Sequence, residues 1–447
     1  MRKIKLKKNN SESRQRVIQI QFNPNVEQII ILDCLTYAAS KLWNVANYER
    51  KRWTKESRVP YPDWYDQKKM LKDNFWYKNL PSQSAQELLK QLHEAWKSFY
   101  KLQKTGGIKN PQPPRYKQNN IGIRFLNKGF TISRGIIRLA VPKHQKEYIL
   151  QKYNQDVDFL YIRIPDEYIN FTGNPKIIEI IPLEKNKYRV NIIVELPEVA
   201  MNQDNGIYMA VDLGVNNLIT CYCSTGKSLI ISGRQLLTIN RYFDKTISKY
   251  QSISDAQQSA KGIKYLKKSK RVLELYEKRR KQVKHLIHTA TRQAIDFAVK
   301  EDVSKIIIGD ITHIRVDNNM GKVNNQKFHR LPYKQIIGQI TYKGIDKGIL
   351  VKMQEESYTS QCSPYSSEVS KDTAEKKNRK YRGLYVVDKK LFNADCVGAY
   401  NILRKYLQRI GNQPITAVVG LDTPEMYRWD SIRGFFSNSK LAISMTK

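Results

Sequence analysis

The sequence predicts an α/β protein in which a β-rich N-terminal part carries a helical insertion and a second, strand–helix part follows. Three observations predict it. Apolar and polar residues alternate through Val17, Ile18, Ile20 and Phe22, stop at Asn23-Pro24 and give way to helical spacing. Alternation returns between about 121 and 198. From Ile207 onward, short apolar strands alternate with helical stretches.

Taken in order, residues 25–104 carry apolar side chains every three or four positions, as at Ile29, Leu32, Leu35, Ala38, Leu42 and Val45. A second helical stretch runs from Ser82 to Leu102. Five of the six Trp fall between Trp43 and Trp96, so this insertion has large side chains for a core of its own. Gly106-Gly107 and Pro111-Gln112-Pro113-Pro114 form a linker. Short strands such as Ile162–Ile164 and Tyr188–Val194 are expected to join the N-terminal strand in one barrel-like domain. Asn202–Gly206 is a second boundary.

The strands IYMAVD and NLITCYCS then form a hairpin around Gly214–Asn217. A long basic helical region over 240–300 follows, then the strand KIIIGDI (305–311) and a Gly/Asn loop. A helix near 333–346, the strand GILVKMQEE, a polar segment over 357–392 and a last helix from Ala394 to Tyr406 complete the order, with no internal repeat. That order suits an RNase H-like α/β domain.

Composition narrows the partner. The chain has 447 residues with 78 Lys+Arg against 41 Asp+Glu, a formal charge of +37. Self-repulsion of that size is relieved most simply by a polyanion, and nucleic acid is the commonest one. The cations are spread through ordered-looking segments, unlike those of a basic tail. The 27 Tyr offer faces on which bases can stack, although most tyrosines serve a core. The start MRKIKLKKNN lacks an apolar signal core, and no run reaches about 18 apolar residues, so no membrane span is expected. Five Cys, an odd number, fit a reducing cytoplasmic setting without a disulfide framework.

The chemistry centres on carboxylates. Asp212 ends an apolar strand and is followed by Leu-Gly-Val-Asn-Asn; an acid there, with Gly opening the turn, can face a cleft and hold a hard cation. Asp395 lies at the entry of an apolar helix, where it can complement the helix dipole or ligate a metal. Either Asp alone is ordinarily structural. The pair, with a strand between them in sequence, is more specific.

On these residues the chain resembles the TnpB family of transposon-encoded nucleases, relatives of the compact type V CRISPR nucleases. AVDLGVNNLIT (210–220) looks like the family's first RuvC motif and NADCVGAYNIL (393–403) like its third. ESYTSQC (356–362) is similar to the segment that leads into a zinc-ribbon insert. NLPSQSAQELLKQLHEAW (79–96) resembles the helical recognition lobe, and KNPQPPRYK (109–117) the linker after it. The resemblance covers about residues 15–408. It implies a RuvC domain preceded by a wedge β-barrel that carries the helical recognition domain. It also implies an RNA-guided DNA endonuclease, which binds a guide RNA, recognises a short motif beside its target, opens the duplex and cuts it. RuvC carboxylates of such enzymes hold two Mg²⁺ about 3.5–4 Å apart, with Mn²⁺ able to substitute, while base pairing reads the sequence.

Two departures from the family pattern follow. The middle RuvC motif usually carries Glu after an Ile/Val strand, but KIIIGDI has Gly309 there. Asp310, one residue on, points to the other face of the strand. Glu356, at the end of a strand that can lie beside KIIIGDI, is therefore the expected third ligand with Asp212 and Asp395; Glu355 is second choice and Asp310 third. Some family members resemble this arrangement, with Gly-Asp in the middle motif and Glu before Tyr-Thr-Ser. The competing view is that Glu355-Glu356 is a solvated strand end and the site inactive. In the insert, Cys362 has Tyr365 at its partner spacing, and no Cys lies between 363 and 395. No structural zinc is expected, and packing around Tyr365, Tyr381 and Tyr385 is expected to hold the insert. Cys221/Cys223 and His285/His288 invite a metal reading but match no closed zinc spacing, and read as core or RNA-facing residues.

Residues 261–284 hold eleven Lys/Arg and two Glu. Such a run is commonly a solvated helix face; here Lys264, Lys267, Lys268, Arg271, Arg279 and Arg280 are expected to contact phosphates. Trp43, Tyr48, Trp53, Trp64 and Trp76 are mostly core, with exposed members able to stack on bases. The N-terminal run Arg2, Lys3, Lys5, Lys7 and Lys8 either binds guide RNA or is a tail.

The expected layout is a first barrel segment (1–24), the helical recognition domain (25–106) and a second barrel segment (107–204). The RuvC domain follows (205–356), with an insert for target nucleic acid (357–392), the RuvC remainder (393–410) and a C-terminal segment (411–447) that is either a tail or packs back onto the guide RNA or the nuclease domain. The expected partners are guide RNA and duplex DNA with a flanking motif, no membrane, and a monomer in preference to a dimer. The expected setting is the cytoplasm of a prokaryotic cell, at the nucleoid when DNA is bound. Two other readings stand beside the nuclease. A nuclease-dead RNA-guided DNA-binding protein would act as a repressor. A guide-independent transposase or junction resolvase would not need the lobes that precede the RuvC part.

Overall fold

Gln15 pairs with Glu195 and Phe22 with Tyr188, so the first strand of the chain and a far later one share a ladder, and everything helical between them is an insertion. The computed structural model describes residues 14–53, 62–106, 108–183, 186–310, 321–381, 383–412 and 418–438. The N-terminal cations from Arg2 to Lys8 and most of the Gly/Asn loop after Asp310 lie outside the described residues. The chain divides into two units, 1–198 and 199–447.

In the first unit, strand β1 (Gln15–Phe22) leads into helix α1 (Val26–Arg52), started by a capping box between Asn25 and Gln28. Helices α2 (Trp64–Leu71), α3 (Phe75–Lys78) and α4 (Ser82–Thr105) follow. Gly106, with φ of 63°, ends α4 in the left-handed conformation that glycine adopts without cost. By length and composition α1 could cross a bilayer, but Leu32, Leu35, Leu42 and Ala46 on it are fully buried against the unit's own core.

The strands β2 (Ile123–Leu126), β3 (Phe130–Ser133), β4 (Ile136–Ala140), β5 (Phe159–Arg163), β6 (Asn174–Pro182) and β7 (Tyr188–Glu195) form two sheets, with helix α5 (Lys143–Tyr153) between β4 and β5. One sheet has the order β1-β7-β6-β2, the other β3-β4-β5. The expected barrel is thereby corrected. Among the described residues β1 and β2 do not pair with each other, and the strand run passes to a second sheet at the Gly129 turn, so no barrel closes.

The second unit holds a seven-stranded sheet. Strand β8 (Tyr208–Asp212) pairs antiparallel with β9 (Asn217–Cys223), and β9 with β10 (Ser228–Ser232). Helices α6 (Arg234–Ala260) and α7 (Lys270–Lys300) precede β11 (Lys305–Asp310), which runs parallel to β8. Helices α8 (Lys322–Arg330) and α9 (Tyr333–Asp346) lead to β12 (Leu350–Glu355), parallel to β11. The insert is a small sheet of β13 (Arg379–Tyr381), β14 (Leu384–Val387) and β15 (Lys390–Asn393), and helix α10 (Ala394–Arg409) follows it.

Strand parity divides the core. Met209 and Val211 of β8 pack with the α6, α7 and α9 side, whereas Tyr208 and Ala210 pack with α10. Asp212 has the parity of the α10 face.

Two expectations become more specific here. The basic region over 240–300 is two helices, because Gly262, with φ of 71°, turns the chain between α6 and α7. Of the two readings of the C-terminal segment, its described residues follow the one that packs back onto the second unit. Strand β16 (Glu425–Asp430) lies parallel to β10, and β17 (Phe435–Asn438) pairs with β16, giving the order β12-β11-β8-β9-β10-β16-β17. Trp429 packs edge-on to His285 of α7, at 5.8 Å between ring centres.

Candidate active site

The acids collect at one end of the central strands. Asp212 is the last residue of β8, and β11 runs beside it, with Val211 level with Ile308. Gly309, next along β11, has the parity of the α10 face. A β-carbon there would collide with the Glu356 carboxylate and lie 2.8 Å from Ile402 Cδ1 of α10. Glu356 therefore reaches back from the end of β12 into the space that a side chain at 309 would fill. Helix α10 comes equally close: a β-carbon at Gly398 would lie 2.9 Å from Asp212 Oδ2.

Asp395 sits in the first turn of α10. Asn393 caps that helix, its side chain accepting from the backbone N–H of Asp395 (3.0 Å) and Cys396 (3.2 Å). The two carboxylate oxygens of Asp395 are engaged separately. Asn217 Nδ2 donates to Oδ2 at 2.6 Å, and Arg379 of the insert approaches Oδ1 at 3.5 Å.

The electrostatics mark a shared site. Burial, reinforced by the charge of Asp395, pushes the Asp212 carboxyl up to about 7, against the opposing pull of Arg379. Burial, then the charges of Asp212, Asp310 and Glu355, push Glu356 up to about 8. Carboxylates that face one another in a poorly hydrated place resist ionising together. Glu355 behaves oppositely. Burial raises it, but hydrogen bonds from Lys405 and from Ser357 outweigh burial and hold it below the usual range. Strand alternation thus sends one of two adjacent glutamates into the acid group and the other to a lysine.

The donor set consists of carboxylate oxygens, the chemistry that hard divalent cations take. Among the described residues no group of three or more His, Cys, Asp or Glu is arranged to close on a metal as it stands. Asp395 is instead held by Asn217 and by the Arg379 guanidinium. Asn217 and Arg379 were not anticipated from the sequence. Asn217 carried a signal, since it stands just past the turn that follows Asp212; Arg379, in a polar insert, carried none.

The insert departs from expectation in part. Tyr385 is fully buried, its hydroxyl donating to Gln361 O at 3.1 Å. Tyr365 leans on Phe392 at 6.2 Å between rings. Tyr381 is 74% exposed and does not pack, because β13 is an edge strand of the small sheet. The buried Cys362 thiol faces Ser370 O and Thr373 Oγ1 at 3.3 and 3.4 Å. Cys221 and Cys223 are buried core residues of β9, and His285 Nε2 is 3.0 Å from Gly434 O.

The expected phosphate contacts separate into two kinds. Lys264, Lys267 and Lys268 lie exposed in the turn between α6 and α7, and Arg271 is exposed at the start of α7. Arg280 is exposed but paired with Glu277 at 2.6 Å. Arg279 is corrected: its side chain is only 13% exposed and bonds Asn240 at 2.8 Å and Asp244 at 3.3 Å across the helix pair. In the first unit, Trp43 is buried, Trp53, Trp64 and Trp76 are half-buried, and Tyr48 is 48% exposed.

An α/β sheet of this strand order, with acids at the ends of adjacent strands and of the last helix, defines the RNase H-like class. Comparison with known proteins finds three likenesses. A family model described as a probable transposase, OrfB_IS605, matches residues 191–315. TnpB-like protein ORF457 of Acidianus two-tailed virus is 25% identical over 440 residues, 91% of each chain. Among solved structures, a Cas12f1–sgRNA–target DNA complex superposes with a TM-score of 0.59 at 17% identity, over 85% of this chain and 83% of that one. The chain thus resembles a TnpB-like protein along most of its length and shares its fold with a type V effector.

Proposed function

We propose that the chain is an RNA-guided DNA endonuclease of the RuvC type. It binds a guide RNA, recognises a short motif beside its DNA target, opens the duplex and cleaves phosphodiesters, working as a monomer in the cytoplasm. The observation that carries this reading is the placement of Glu356 over Gly309, beside Asp212 and within the same charged group. It restores to the middle of the site the acid that the strand itself lacks. The likeness to a Cas12f1 captured with sgRNA and target DNA supports the choice of nucleic acids.

Asp212, Glu356 and Asp395 would hold Mg²⁺, with Mn²⁺ able to substitute. When bound, the ion supplies Lewis-acid charge that offsets negative charge accumulating on the phosphate. Asn217 orients Asp395 through its 2.6 Å hydrogen bond. Arg379 presents a guanidinium beside the acids, a group suited to bidentate contact with a phosphate. The exposed cations of the α6–α7 turn position strands without reading sequence.

The test is to purify the protein with its native locus RNA and incubate it with a target plasmid library and Mg²⁺. Wild type, Asp212→Ala and Glu356→Ala run side by side. RNA-dependent cutting that both substitutions abolish is expected. Cutting that survives Glu356→Ala overturns the displaced acid, and RNA-dependent binding without cutting by the wild type overturns the nuclease.

A further inference from the structure

The turn between α6 and α7 is constructed, not loose. Helix α6 ends in a Schellman motif: Ile263 N–H donates to Gln258 O at 3.0 Å and Gly262 N–H to Ser259 O at 2.9 Å. A β-carbon at Gly262 would meet nothing within 4 Å, so its positive φ alone accounts for glycine there. The Gln258 side chain then grips the far side of the turn, accepting from Lys267 N at 2.8 Å and donating to Lys267 O at 2.7 Å. Ser269 caps α7.

What this frame displays is unusual for a solvated turn. Tyr265 is 77% exposed, and its neighbours Leu266 and Ile263 are 46% and 42% exposed. Lys264 Nζ lies 5.9 Å from the Tyr265 ring centre, and Lys267 and Lys268 follow in the same turn, the latter with its Nζ 4.4 Å from the Tyr276 ring centre. From Ala256 to Leu273 the chain carries no Asp or Glu. An open aromatic face among cations, with both ends of its loop fixed, is what a strand of unpaired bases requires: a surface for stacking and charges for the phosphates on either side. Because the loop is already held, little ordering cost remains on binding.

We propose that the α6–α7 tip is a binding site for single-stranded nucleic acid. Tyr265 stacks on an unpaired base, while Lys264, Lys267 and Lys268 hold the adjoining phosphates. The site rests on the strand-positioning role proposed above for these cations and deepens it to unpaired bases, and it does not depend on cleavage.

The experiment uses the full chain in an Asp212→Ala background, so that loss of cutting cannot alter the readout. Single-stranded DNA and RNA carrying 5-iodouracil are irradiated with the protein, and adducts are mapped by mass spectrometry. Affinities for the same strands and for a hairpin-closed duplex are measured by fluorescence anisotropy. An adduct on Tyr265 is expected, and the DNA and RNA arms tell which strand the tip prefers. Tyr265→Ala should weaken single-strand binding roughly 5- to 100-fold, leave duplex binding unchanged, and be rescued by Tyr265→Phe. The triple Lys264/Lys267/Lys268→Ala variant should reduce the slope of log affinity against log salt by about 2. No adduct at Tyr265 with either strand, unchanged affinity in Tyr265→Ala, or an equal loss on closed duplex each overturns the site.

Discussion

Glu356 occupies the volume that a side chain on Gly309 would need, so these two residues are a matched pair: the strand gives up its own acid, and the acid just past the end of the next strand fills the gap. Gly309→Ala should therefore damage the site more than the fold. The atoms that its β-carbon meets are the free ends of Glu356 and Ile402, which can move at a cost of about 1–3 kcal/mol. Cleavage should fall more than 10-fold while circular dichroism stays native. Wild-type activity in Gly309→Ala would break the link between the two positions.

The raised carboxyls predict a pH dependence of stability. A group whose folded value lies above its unfolded one stabilises the fold below the unfolded value, and this contribution is lost as pH rises through the folded value. For Asp212 and Glu356 the loss spans roughly pH 4 to 8. Metal-free protein should lose thermal stability across that window, and Asp212→Asn should flatten the profile. Mg²⁺ should raise the melting temperature more at pH 8.5 than at pH 5.5. Scanning fluorimetry with and without EDTA measures each of these.

Asn217 holds Asp395 but reaches neither Asp212 nor Glu356 by a hydrogen bond in the described residues. Asn217→Ala should lower activity about 10- to 100-fold, the range seen when a supporting partner of a ligand is removed. Excess Mg²⁺ should recover part of the loss. A loss that no Mg²⁺ concentration relieves would assign Asn217 a role other than orienting Asp395.

Arg279 and Lys267 should behave oppositely although both belong to one basic run. Arg279→Ala removes charged hydrogen bonds across the α6–α7 pair and should cost about 1–3 kcal/mol in urea denaturation. It should leave the salt dependence of nucleic-acid binding unchanged. Lys267→Ala should leave stability unchanged and reduce the salt slope by a little under 1.

In the insert, Tyr385→Phe should cost about 1 kcal/mol by removing the hydroxyl's bond to Gln361 O. Tyr381→Ala should be neutral, since that ring is open to solvent. Equal effects in thermal melts would refute the distinction.

The sequence carried the strand and helix order of the second unit because its periodicities are strong and its connections local. It marked Asp212 and Asp395 as candidates through their motifs, and strand parity alone separated the placement of Glu356 from that of Glu355. Arg279 was also legible in principle. It falls in the stripe Val272, Leu275, Arg279, Val283 and Leu286, whose spacing places it on the inner face of α7, yet charge composition masked that position. The strands β16 and β17 were not legible. They are short, and β16 is specified by its parallel partner β10, nearly two hundred residues earlier, with no local pattern to announce it. The open N-terminal sheets were missed for a related reason, since closure depends on which edges meet and not on the alternation within any strand.

The sheet that contains β1 and the seven-stranded sheet are each completed late in synthesis. When β10 leaves the ribosome, its outer edge has no partner until Glu425 to Asp430 emerge, and β1 must likewise wait for Tyr188 to Glu195. Each nascent unit thus spends most of its translation with an unpaired, apolar strand edge, the kind of surface that recruits other chains. Messages truncated before residue 425 should yield aggregates even though every acid of the site has already been made.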